Sequence, residues 1–297
     1  LRAAGRSDSP EMTRYQDIRF KSADGRLNLY ARDYGGGGLP VLCLHGLTRN
    51  SADFEALAAR LTPRYRVIAP DVRGRGLSDY DPEPMHYQPG VYVQDVFTLL
   101  KHLNLARCVI VGTSMGGIMG MIMGAMAPQG LIGLALNDVG PELDAAGLAR
   151  IGAYAGKVEA ARDWAEAAER CRASNGQAFP DYGEADWLAF ARRTYRETAD
   201  GPAPAYDPDI AVPFKAAEGA APPDMWGMWD ALAVIPMLAI RGALSDLLAP
   251  ATLEQMQTRH PGLATATIPG RGHAPMLDEP EAVAAINAFL QDMETRV

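Results

Sequence analysis

Val109-Ile110-Val111-Gly112-Thr113-Ser114-Met115-Gly116-Gly117 decides the reading of this chain. The run up to Val111 is apolar and β-branched, which reads as a fully buried strand. Met115 to Met126 reads as a helix. Between them lies G-x-S-x-G, so Ser114 falls on a sharp strand-to-helix turn. Gly112 and Gly116 let such a turn close without side-chain clashes. The helix that follows aims its free N–H groups at the turn, where negative charge would develop in a reaction. A glycine-rich turn with Ser114 as a helix cap would need the same residues. The placement between a buried strand and a helix favours a nucleophile.

The flanking sequence repeats the same alternation. Tyr15 to Phe20 and Leu27 to Tyr34 read as strands joined at Ala23-Asp24-Gly25. Val41 to Leu44, Arg66 to Ala69, Cys108 to Val111 and Leu131 to Leu136 read as further strands. Ala52 to Leu61, capped by Ser51, and Val91 to Leu103 read as helices. Short apolar strands alternating with helices predict a parallel sheet covered on both faces. The pattern stops at Pro141. To about Trp229 the sequence is helix-like, over Leu148 to Ala173 and Glu184 to Thr198, and then proline-rich through Pro223. It resumes with Pro236 to Ile240, Thr252 to His260, Ala264 to Ile268 and Glu281 to Met293. The expected organisation is therefore a core of residues 1–140 and 230–297, with 141–229 as an inserted helical cap.

A serine hydroxyl needs a base, normally histidine. His102 and His260 fall in or at the end of helices and read as solvated. His86 lies in a proline-rich loop. His273, in Pro269-Gly270-Arg271-Gly272-His273-Ala274-Pro275, sits in a loop after the last strand and is the expected base. A carboxylate must then hold the imidazole in one tautomer. Asp138 and Asp246 both follow strands. Asp246 is favoured, because Gly242-Ala243-Leu244-Ser245 is a loop of small residues that can turn toward the site. Asp138 is expected to fix the exit into the insert. Backbone N–H groups of Leu47 and Met115 are the expected oxyanion donors, since Gly46 frees the backbone before Leu47.

His45-Gly46, Asp71-Val72-Arg73-Gly74-Arg75-Gly76-Leu77-Ser78, the Ser114 turn, Gly242 to Asp246 and Gly272-His273 together resemble the α/β-hydrolase superfamily. Within it they are most similar to capped carboxylesterases, enol-lactone hydrolases and meta-cleavage-product hydrolases. The resemblance runs in order from about Tyr15 to Val297. It implies an α/β-hydrolase fold: a mostly parallel eight-stranded sheet, helices on both faces and a helical cap insertion. It also implies Ser114, Asp246 and His273 as triad and no cofactor or metal. The expected activity is hydrolysis of a small to medium, apolar or aromatic ester or lactone through an acyl-enzyme. Carbon–carbon hydrolases of the meta-cleavage type usually carry Asn before the nucleophile, where this chain has Thr113. That alternative would also need a cation for the substrate carboxylate, and Arg192, Arg193 and Arg196 are candidates. A non-catalytic binding protein of the same fold is the remaining alternative. His45, Trp164, Trp187, Trp226, Trp229 and Met276 are candidates for the substrate pocket, the four tryptophans because they all fall in the insert.

A net charge of −8 repels phosphate backbones and argues against nucleic acid as a partner. Gly35 to Gly38 lacks the Lys-Ser/Thr of a phosphate-binding loop. Three cysteines are too few for a disulfide framework and show no metal-ligand spacing. The longest apolar stretch, Ile118 to Ala127, is too short to span a bilayer, so no membrane association is expected. The polar stretch Leu1 to Pro10 has no signal-type apolar run. Met12 reads as the natural start, with 1–14 a flexible extension, and the expected location is cytoplasmic. The expected partner is a small ester or lactone, and the sequence sets no oligomeric state. The methionines between Met115 and Met126 read as core filler, and Arg73 and Arg75 as parts of a structured loop.

Overall fold

The computed structural model describes residues 14–216 and 224–296. All but the last residue of the expected N-terminal extension, and part of the proline-rich stretch, lie outside them. In chain order come β1 (Gln16–Lys21), β2 (Asn28–Asp33), β3 (Pro40–Leu44), α1 (Glu55–Leu61), β4 (Arg66–Asp71) and α2 (Pro89–His102). There follow β5 (Cys108–Thr113), α3 (Met115–Met126), β6 (Leu131–Asn137), α4 (Ala145–Tyr154), α5 (Trp164–Asn175) and α6 (Glu184–Thr194). Then come β7 (Tyr195–Arg196), β8 (Ala203–Pro204), α7 (Val212–Ala216), α8 (Trp226–Ala231), β9 (Met237–Gly242), α9 (Pro250–Arg259), β10 (Ala264–Ile268) and α10 (Pro280–Thr295).

Eight strands form one sheet in the order β1-β2-β4-β3-β5-β6-β9-β10. Only the β1–β2 and β2–β4 pairs are antiparallel. The central strands are buried on both faces, and their side chains alternate between two cores. Leu42, Leu44 and Ile110 pack with α2 and α3 on one side. Val41, Cys43, Val109 and Val111 pack with α1 and α10 on the other. Met119, Met121 and Met123 are buried in the first core, as filler. All three cysteines are free and buried. Among the described residues, no helix is long and apolar enough to cross a membrane.

Local chemistry moved several boundaries. Ser51 does not cap the first helical turn: Asn50 does, accepting from Ala52 N–H, while Ser51 N–H donates to Asp71. The long helix expected over 148–173 is divided into α4 and α5, with Gly156 at φ +82 in the break. His260 is buried rather than solvated, its Nε2 3.0 Å from Ile235 O.

Between β6 and β9 no described residue joins the main sheet. This segment has its own small core, in which Phe179, Trp187 and Phe190 pack with Cys171. Its last helix differs: Trp229 of α8 is fully buried in the core shared with α3.

The loop after β4 is built on charge. Arg73 is buried and ion-paired to Asp81 at 2.6 Å and to Asp95 at 2.7 Å. Burial opposes the charge on Asp81, but hydrogen bonds from Glu83 N–H, His86 and Arg73 hold its carboxyl below the usual range. Replacing Arg73 with Met should leave buried Asp95 without its cation and Asp81 with only the more exposed Arg26, and destabilise the fold by about 3–5 kcal/mol. Urea unfolding of both proteins checks this, and a midpoint within error of wild type would refute the account.

Candidate active site

Ser114 stands between β5 and α3 at φ +51 and ψ −116, a region that L residues avoid. The turn closes because Gly112 and Gly116 have no side chain. A Cβ on Gly112 would lie 2.4 Å from Gly116 O, and one on Gly116 would lie 2.0 Å from Leu44 O. Met115 opens α3, so its N–H has no acceptor within the helix.

His273 Nε2 lies 3.0 Å from Ser114 Oγ, and His273 Nδ1 lies 2.8 Å from Asp138 Oδ2. The loop after β10 therefore delivers the imidazole as expected, but the carboxylate against it is Asp138. Asp138 follows β6 directly, at φ +56, and is fully buried. Its Oδ1 accepts from Gly242 N–H at 2.8 Å, and its Oδ2 accepts from Ser245 Oγ at 2.6 Å. Ser245 Oγ itself accepts from the N–H groups of Leu247 and Leu248, which directs its one proton to Asp138. The small-residue loop after β9 does turn toward the site, but it presents Ser245. Asp246 instead takes a two-pronged ion pair with Arg150 of α4, at 2.5 and 2.9 Å. That pair holds the Asp246 carboxyl below its usual range.

Expected pocket residues divide sharply. Met276 lines a cavity of about 430 Å³ together with Ser114, His273 and Leu47. His45 does not: it is fully buried, with Nδ1 2.7 Å from Gly46 O and Nε2 accepting from Val72 N–H at 3.0 Å. None of the four tryptophans lines the cavity. Trp164 and Trp226 donate to Glu197 and Glu142, while Trp187 and Trp229 are core. The aromatic wall is made by Phe54, Tyr154, Phe179, Phe190, Tyr195 and Tyr206. Arg192, Arg193 and Arg196 are also outside the lining, each over an aromatic ring.

Sequence reasoning missed three supporting residues. Asn137, buried at the end of β6, donates to Thr113 Oγ1 at 3.0 Å and to Pro275 O at 2.8 Å, tying the serine turn to the histidine loop. A lone polar residue closing an apolar strand was the available signal. Arg75 donates to Leu47 O at 2.9 Å and to Arg73 O and Tyr92 Oη, bracing the loop after β3 from below. Ser245, described above, holds the acid. Because Gly46 O is turned to His45, the Leu47 N–H of the same trans peptide points the opposite way. Among the described residues, one grouping, Asp24, Asp81 and His86, brings metal-type ligands together, and it already takes Arg26 and Arg73 as cations.

These features define a hydrolase, and comparison with known proteins agrees. The chain belongs to the alpha/beta hydrolase family, which it matches over residues 41–286. It is 34% identical to a 3-hydroxybutyrate-oligomer hydrolase of Cupriavidus necator, over 84% of this chain and 87% of that protein. It is 29% identical to the 2-(acetamidomethylene)succinate hydrolase of Mesorhizobium japonicum, over 90% and 92%. The crystal structure of an alpha/beta hydrolase from Novosphingobium aromaticivorans superimposes with a TM-score of 0.89, at 44% identity, covering 95% of this chain and 99% of that one.

Burial pushes the His45 imidazole down from 6.5 to about 4, so it stays neutral, donating from Nδ1 and accepting at Nε2. Between those values the unfolded chain binds a proton that the folded chain refuses. Stability from this group is therefore complete above pH 6.5 and is lost as pH falls toward 4, by on the order of 3 kcal/mol. His45→Gln cannot titrate, so its Tm should fall less steeply than wild type over that window. Parallel slopes in calorimetry would contradict the assignment.

Proposed function

We propose that the protein is a serine esterase that cleaves small carboxylic esters through an acyl-enzyme. The observation that carries this is the unbroken chain Asp138–His273–Ser114, with its 2.8 and 3.0 Å hydrogen bonds. His273 takes the Ser114 proton as Oγ attacks the ester carbonyl. Asp138 holds Nδ1–H and stabilises the imidazolium. The oxyanion rests on the N–H groups of Leu47 and Met115. The leaving alcohol takes its proton from His273, and water releases the acid by the reverse route. The scheme asks for no metal or organic cofactor. Residues 141–229 act in it as a cap, since α4, α5 and α6 supply cavity wall.

The relative in Cupriavidus necator suggests the first substrates to try: short oligoesters of 3-hydroxybutyrate. Their small, largely apolar units suit a cavity of about 430 Å³ with aromatic walls. Arg192, Arg193 and Arg196, the cations expected to hold the substrate carboxylate of a carbon–carbon hydrolase, all lie outside the cavity lining.

A fluorophosphonate should label Ser114, which separates an esterase from a binding protein of the same fold. Ser114→Ala should lower turnover of p-nitrophenyl butyrate on the order of a million-fold. Asp138→Asn should lower kcat by about 10⁴ at near-native Tm, because the amide cannot stabilise imidazolium. Asp246→Asn should stay within a few-fold. The reverse ranking of the two aspartates would overturn the acid assignment.

A further inference from the structure

We propose that this cavity selects substrates bearing a free carboxylate, and that Lys157 is the residue that reads it. The proposal rests on the ester-hydrolase reading above and adds the charge of the substrate to it. Three cationic residues, Arg49, Lys157 and Arg170, are among those that line the cavity, with two acidic ones, Asp53 and Glu159.

The three cations are not equivalent. Arg49 is gripped by Asp53 through two 2.6 Å hydrogen bonds and lies 4.0 Å from the Phe190 ring centroid. Burial opposes its charge, and Asp53 outweighs that, keeping the guanidinium above its ordinary value. Arg170 donates to Glu166 and to Glu159 O, both at 2.9 Å. Both arginines are thus spent on structure. Lys157 has no carboxylate within 4.0 Å among the described residues.

Its backbone, by contrast, is fixed. Lys157 N–H donates to Tyr154 O at 3.2 Å, and Lys157 O accepts from Tyr206 Oη at 3.1 Å. Gly156 before it needs φ +82, and a Cβ there would meet Ala211 Cβ at 2.6 Å. A held backbone and, among the described residues, no carboxylate partner leave the Lys157 ammonium free to take its counter-ion from a substrate. A lysine suits this, since its point charge on a flexible stem can meet carboxylates at varying depth. The substrate is then an ester of a hydroxyacid or a half-ester of a diacid, with the carbonyl at Ser114 and the carboxylate at Lys157.

The test measures binding, so it does not depend on turnover. The Ser114→Ala protein is titrated calorimetrically with 3-hydroxybutyrate and with its neutral carboxamide. The anion should bind about two- to fivefold more tightly, and less so at high salt, as expected of one exposed ion pair. In Ser114→Ala/Lys157→Met the preference should vanish, and in Ser114→Ala/Lys157→Arg it should return. Equal binding of the two ligands, or a preference that survives Lys157→Met, would overturn the proposal. Failure of the ester reading shows separately, as wild-type protein that turns over no p-nitrophenyl ester.

Discussion

The active site depends on one backbone conformation, that of Ser114 at φ +51. A conformation of this kind costs about 1–3 kcal/mol and persists only where its surroundings leave no alternative. Here Ser114 N–H donates to Asn137 O at 3.0 Å, while Ser114 O accepts from Gly117 N–H at 2.8 Å. Gly116 then lies against Leu44 O so closely that no side chain fits. Strands β3 and β6 and helix α3 each supply one of these restraints. Ser114 is therefore held by the parallel sheet and the helix that follows it, with its hydroxyl at the carboxyl edge.

The same edge explains why the carboxylate against His273 comes from the end of β6. Strands β6 and β9 are parallel neighbours, with Asn137 level with Ile240. Their following residues therefore reach the edge side by side. Asp138 N–H donates to Ile240 O at 2.7 Å, which holds Asp138 against the end of β9, and Gly242 N–H and Ser245 Oγ close around its carboxylate. One strand provides the charge and the next provides its solvation. Asp246, one residue beyond Ser245, is left half-exposed and is used by Arg150 to fasten α4 to the core.

Much of this was legible in the sequence because it is local. Apolar runs at Val41, Cys108 and Leu131 can only be buried strands, α3 was bounded to the residue, and the glycines around Ser114 have one sensible use. His273 followed from its place after the last strand. The choice between Asp138 and Asp246 was not local. Both follow strands, and it is the adjacency of β6 and β9, formed only by the crossover through residues 138–236, that seats one and displaces the other. The tryptophans failed for a related reason. Their clustering in one segment says nothing of which way each faces, and Trp187 and Trp229 were needed to fill cores while smaller aromatic rings formed the cavity wall.

The loop His45 to Asn50 joins these parts. His45 fixes Gly46 O and is itself fixed by Val72 N–H, which sets the direction of the Leu47 N–H. Leu47 O is held by Arg75 from the loop after β4. Arg49 reaches the other way, over Phe190 of α6, with its Nη2 3.9 Å from Met276 Sδ in the histidine loop. Asn50 Nδ2 then donates to Arg193 O, at 2.9 Å, near the end of α6. Six consecutive residues thus touch the serine turn, the β4 loop, the histidine loop and the inserted helices. Arg49 and Asn50 follow Leu47 by two and three residues, so the loop that carries the Leu47 peptide also contacts α6. The cavity wall made by α6 and the Leu47 peptide beside Ser114 are thus held by one loop.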